Sequence, residues 1–158
     1  MTIAAFSFLV DVRAPWDADW IWGCPLIVVT VIIHVIGLAS ISQKAILIHN
    51  DRKRNRPKAV FAVVIGATTL LATILHGIEA AIWAVAYCVI GSLPSFKVAM
   101  LYSLGALTTY GHQAVVLEDR WRLLGAIEAL NGWLLFGLST ALLFWLIQEI
   151  SPDIRVSR

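Results

Sequence analysis

Residues 93–116 read LPSFKVAMLYSLGALTTYGHQAVV, and this stretch constrains the fold more than any other. Residues 93–107 are expected to form a helix of about 15 residues, which reaches about 22 Å at 1.5 Å per residue. The hydrocarbon core of a bilayer is about 30 Å thick, so such a helix is too short to cross it. It stops in Thr108, Thr109, Tyr110, Gly111, His112 and Gln113, a polar run with a glycine inside it. Non-helical backbone at membrane depth is tolerated only where it is buried in protein or lines a watery cavity. The stretch is therefore expected to be a re-entrant pore loop, with the rest of the chain as its scaffold.

That expectation presupposes a membrane protein, and the composition agrees. Of 158 residues, 59% are hydrophobic and only 14% charged, with a mean hydropathy of +0.82. An ordinary soluble domain carries about 25% charged residues. One domain is expected at this length. The net charge is a mild +2, and the basic residues gather in one loop, which argues against a nucleic-acid partner. Cys24 and Cys88 lie in apolar surroundings without metal-type spacing and are expected to be packing residues, a disulfide being the alternative.

Residues 1–20 begin with an apolar run that no basic residue precedes and no clear small-residue cleavage site follows, unlike a cleaved signal peptide. With Asp11, Arg13, Asp17, Asp19 and the tryptophans Trp16, Trp20 and Trp22, an external interfacial segment is expected. A first spanning helix is expected over 21–48, containing Pro25, Gly37 and His34 but no arginine ladder of the voltage-sensor kind. Residues 49–58 carry Arg52, Lys53, Arg54, Arg56 and Lys58 against the single acid Asp51, which marks a cytoplasmic loop and places the N-terminus outside. The second helix is expected over 59–91, interrupted only by Glu79, followed by the short helix 93–107, the loop 108–113 and a last helix over 121–150 with Glu128 inside it. Glu118, Asp119 and Arg120 read as an external turn with Trp121 at the interface, and 151–158 as a cytoplasmic tail. No repeat or low-complexity segment is present.

Residues 59–150 resemble the pore domain of the potassium channel family, in its bacterial two-helix form with one extra helix in front. Ala99 to Thr109, AMLYSLGALTT, is similar to a pore helix ending in paired threonines, and Tyr110-Gly111-His112-Gln113 occupies the length of that family's V-G-Y-G. Trp121 falls where a tryptophan often opens the family's inner helix. Gly132 and the run Phe136-Gly137-Leu138-Ser139-Thr140-Ala141 resemble that helix with its bending glycine.

The resemblance implies an all-α membrane protein: three transmembrane helices plus a re-entrant pore helix and loop, assembled as a four-fold homotetramer in a bacterial inner membrane, N-terminus outside and C-terminus cytoplasmic. It implies a pore for monovalent cations, K⁺ foremost, rather than an enzyme, with no resident cofactor and no metal beyond the permeant ion. Its partners would be further copies of itself, membrane lipid and the ion. Thr108, Thr109, Tyr110, Gly111, His112 and Gln113 would be the selectivity filter, whose carbonyls replace the ion's water. Trp133, Phe136 and Thr140 would line the cavity. Gly132 and Gly137 are expected either as gating hinges or as close-packing positions.

The departures from the family pattern have consequences. Gln113 stands where the second filter glycine belongs, and Ala114 where an aspartate follows. A non-glycine residue in the left-handed region costs about 1–2 kcal/mol. The inner ion positions at Thr109 and Tyr110 are expected to persist and the outer part to be rearranged. Four copies of His112 near an outer mouth would repel cations when protonated; the competing expectation is that its ring packs behind the loop. Glu128, on roughly the opposite side of its helix from Trp133, Phe136 and Thr140, is expected to support the filter, or else to be a buried structural acid. Glu79 and His76, three apart on one face, are expected to satisfy each other.

Two rival readings stand beside the channel. His34 and His76, on separate spans at comparable depth, are the pair a b-type haem would need. A channel-like fold that does not conduct, serving as a sensor subunit, is the other. No paired nucleophile and base and no phosphate-binding loop is present, which excludes the common hydrolase and transferase sites.

Overall fold

A computed structural model describes residues 17–52, 57–111 and 115–151. Four α-helices run in chain order: α1, Asp17–Arg52; α2, Pro57–Val89; α3, Phe96–Leu107; and α4, Arg122–Ile150, the last preceded by a single 3-10 turn at Asp119–Trp121. No strand occurs among the described residues. Three of these helices are long and apolar enough to cross a membrane, the mark of an integral membrane protein.

Local chemistry explains where the observed bounds depart from the expected ones. Asp17 and Asp19 occupy the first described turn of α1, where acids complement the positive end of a helix. No glycine or proline follows Gly37 before Arg52, so the helix runs on into the basic stretch. α3 starts at Phe96 rather than Leu93. Pro94 disfavours helical backbone at Leu93, and Ser95 is extended (φ −157°, ψ 154°) with its hydroxyl accepting from the Val98 N–H at 3.4 Å as an N-cap.

The chain divides into two compact units, and α1, α2 and α4 each contribute a part to both. The first unit takes 17–29 and the described residues of 80–132. Its core joins Trp83, Ala84 and Tyr87 of α2, Ala99, Tyr102 and Ala106 of α3, and Leu124 and Ile127 of α4, with Leu93, Leu117 and Trp121 from the connections. Trp121 packs in this core, while Glu118, Asp119 and Arg120 beside it are exposed. Asp19 is buried, and its carboxylate accepts the backbone N–H of Leu124 at 2.9 Å. The start of α4, like any helix start, has backbone donors without partners inside the helix. Asp19 of α1 satisfies one of them from another element.

The second unit takes 30–79 and 133–151. Ala45, Val64, Leu146 and Ile150 form one apolar cluster, and Leu38, Ala72 and Leu75 form another with Ile33 and Leu142 against them. Each cluster draws on α1, α2 and α4. Most other apolar side chains of these helices are exposed, among them Val63, Leu70, Ile36 and Phe144, as faces turned toward hydrocarbon are.

Candidate functional site

The short helix sets the geometry of the first unit. It has 12 residues, about 18 Å at 1.5 Å per residue. Ala99, Tyr102, Ser103, Gly105, Ala106 and Leu107 are buried, while Leu101, Leu104 and every residue from Thr108 to Gly111 are exposed. One face is therefore docked, and the polar end stands clear of the unit.

That end has an unusual backbone. Thr108 keeps right-handed geometry (φ −84°, ψ −2°) with its N–H on the Leu104 carbonyl at 3.1 Å, and its hydroxyl donates to the same carbonyl at 2.6 Å. Thr109 then takes φ 56°, a left-handed conformation that glycine usually supplies where a helix ends this way. Its N–H donates to Ala106 O at 3.0 Å, and that of Gly111, itself at φ 86°, donates to Gly105 O at 3.2 Å. A β-branched residue at positive φ is a genuine outlier. Such outliers cost about 1–3 kcal/mol and cluster at functional sites. Tyr110 between them is 84% exposed. His112 and Gln113, the remaining members of the expected filter, lie outside the described residues.

Glu128 anchors the docked helix. It is fully buried; Tyr87 of α2 donates to its Oε2 at 2.7 Å, and Ser103 of α3 donates to its Oε1. One carboxylate of α4 thus ties the short helix α3 to both α2 and α4. Tyr87 also meets Tyr102 edge-on, ring centroids 5.2 Å apart. Neither Tyr87 nor Ser103 stands out in the sequence, since a single hydroxyl in an apolar helix carries no periodic signal.

Gly132 is a close-approach position. A Cβ built there would lie 2.8 Å from Leu107 Cα, so the end of α3 rests on the bare backbone of α4. Gly137, by contrast, has open space around it. Trp133, Phe136 and Thr140 are exposed and spaced to share one side of α4. Phe136 also stacks on His76 at 4.2 Å. Cys24 and Cys88 are free thiols.

The second unit holds a polar cluster of its own. His34 and Glu79 are fully buried and His76 nearly so. His34 Nδ1 lies 2.7 Å from Glu79 Oε1, and His76 Nδ1 lies 3.2 Å from Glu79 Oε2. Both Nε2 atoms lie 3.1 Å from Ser139 Oγ. His76 and Glu79 do approach each other across i,i+3, at 3.2 Å and without a hydrogen bond, but His34 and Ser139 join them from two other helices, which spacing along the chain does not foretell. No family model, curated protein or solved structure matches the chain, so the geometry of these two clusters carries the functional argument.

Proposed function

We propose that the chain is one subunit of a homotetrameric pore for monovalent cations, K⁺ foremost, with its N-terminus outside and α3 dipping part-way into the membrane from that side. The observation that carries this reading is the 12-residue helix, docked on one face and ending in an exposed turn with Thr109 at φ 56°. A segment that short and apolar gains little from water and cannot reach across lipid. Several copies around a hydrated axis give its polar end an environment. Each chain supplies one turn, so a ring requires cyclic symmetry, and the resemblance to potassium channels implies four copies.

In that assembly the negative end of each helix dipole, at Thr108, points toward the axis and favours a cation there. The alternation of right- and left-handed backbone at Thr108 and Thr109 turns successive peptide groups to a common side. Carbonyls so arranged replace an ion's water. Glu128 holds the short helix through Ser103, and Gly132 admits its end against α4.

The bis-histidine haem reading has less support. His34 and His76 both face one carboxylate and one serine, with ring centroids 5.0 Å apart, rather than opposite sides of a slot.

Purified protein in vesicles, with K⁺ and Na⁺ flux compared and the oligomer measured by cross-linking, tests the proposal. Cation flux from a tetramer is expected. A monomer overturns the proposal, and a silent tetramer leaves the sensor-subunit reading in its place.

A further inference from the structure

The pore reading leaves His34, His76 and Glu79 without a task, although three ionisable groups buried between apolar helices are costly to keep. Glu79 offers both oxygens, one toward each histidine. Each histidine turns Nδ1 to that carboxylate and Nε2 to Ser139 Oγ, at 3.1 Å in both cases. The arrangement is a closed ring of four side chains drawn from α1, α2 and α4, all within the second unit.

The ring is short of protons that satisfy every one of its contacts. A serine oxygen has two lone pairs and can accept from both Nε2–H groups. Both Nδ1 atoms are then bare and confront the carboxylate oxygens. If instead both histidines carry their proton on Nδ1, facing the carboxylate, both Nε2 atoms are bare and the single Ser139 hydroxyl proton serves only one of them. His76 Nδ1 and Glu79 Oε2 are buried, 3.2 Å apart, and neither has a hydrogen-bond partner. A buried imidazole nitrogen and a carboxylate oxygen this close, with no well-formed hydrogen bond between them, are placed as two ligands of one cation are.

We propose that His34, His76 and Glu79 form a binding site for a divalent transition-metal ion of the zinc type. Their ligand atoms lie within 4.8 Å of one another. A tetrahedral ion with bonds of about 2.0–2.2 Å sets its ligands about 3.3–3.6 Å apart, so only small adjustments bring the three atoms onto it. Two imidazoles and a carboxylate suit zinc, cobalt, nickel or iron; magnesium and calcium prefer oxygen alone, and copper(I) prefers sulfur. Ser139 serves as the outer partner that orients ligating histidines through their other nitrogen. Phe136, stacked on His76 at an interplanar angle of 19°, fixes the plane of that ring. Three protein ligands leave a fourth position for a solvent-derived anion, which also balances the charge that a single carboxylate leaves on a divalent ion. The ion would clamp α1 to α2 independently of whether the pore conducts.

The test uses full-length protein carrying a purification tag free of histidine, stripped of metal and titrated with Co²⁺. One equivalent per chain is expected, with visible ligand-field bands that Zn²⁺ abolishes. Both Glu79→Gln and His34→Ala should remove the bands, whereas His49→Ala should leave them. Ser139→Ala should keep the stoichiometry and weaken binding by about 10–100-fold. X-ray absorption on the wild-type zinc complex, which requires no variant to fold, should show two imidazoles and otherwise oxygen ligands. Absence of ligand-field bands in the wild type, bands that persist in folded Glu79→Gln, or an absorption spectrum without imidazole would each overturn the proposal.

Discussion

Gly132 of α4 lies so close to Leu107 of α3 that a β-carbon on it would sit 2.8 Å from the Leu107 Cα and closer still to its carbonyl oxygen. The end of the short helix, and hence the turn that follows it, is located by a missing side chain. Gly132→Ala should force the two backbones apart and cost about 1–3 kcal/mol, as overpacking does. Gly137→Ala, with open space around it, should be neutral or gain up to about 1 kcal/mol in helix propensity. Thermal unfolding in detergent compares the two. Flux lost in Gly137→Ala without loss of stability would identify a hinge.

Glu128 accepts from Tyr87 and Ser103 in a fully buried place. Glu128→Ala strands both hydroxyls and should destabilise by about 3 kcal/mol, since each buried group left unpaired costs about 1–3 kcal/mol. Glu128→Gln retains one acceptor oxygen and should cost about half as much. Denaturant unfolding in mixed micelles measures both, and equal costs would show that only the volume of the side chain matters.

Thr109 holds φ 56° against its branched Cβ. Thr109→Gly removes that strain and should stabilise by about 1 kcal/mol if the left-handed turn is retained. A loss of stability would mean that the threonine side chain contributes more than its backbone costs.

Asp19 caps α4 from α1 through the Leu124 N–H. Asp19→Ala should cost about 1 kcal/mol, and Asp19→Asn only part of that, because the amide oxygen still accepts. Hydrogen exchange at Leu124 should accelerate in Asp19→Ala and much less in Asp19→Asn.

Elements whose signal is local were legible in the sequence. Long apolar runs marked the three helices fit to cross a membrane, and the polar run after a short apolar stretch marked where α3 ends. The start of α3 moved because capping is chemical rather than periodic: Ser95 and Pro94 set it at Phe96. The acid at Glu128 was visible as an isolated charge, but its partners were not. Hydroxyls such as Tyr87, Ser103 and Ser139 have no period and acquire meaning only when another helix brings a carboxylate or an imidazole beside them.

By itself, then, the order of residues determined the all-helical class and which helices are long enough to cross a membrane, because backbone hydrogen bonds in a helix close within four residues and apolar length is additive. Only the tertiary structure decided that Trp121 is core, that Gly132 receives the end of α3, and that His34, His76, Glu79 and Ser139 share one ring. Those relationships join positions up to 105 residues apart, and contacts at that separation depend on how helices pack, which no local window of sequence contains.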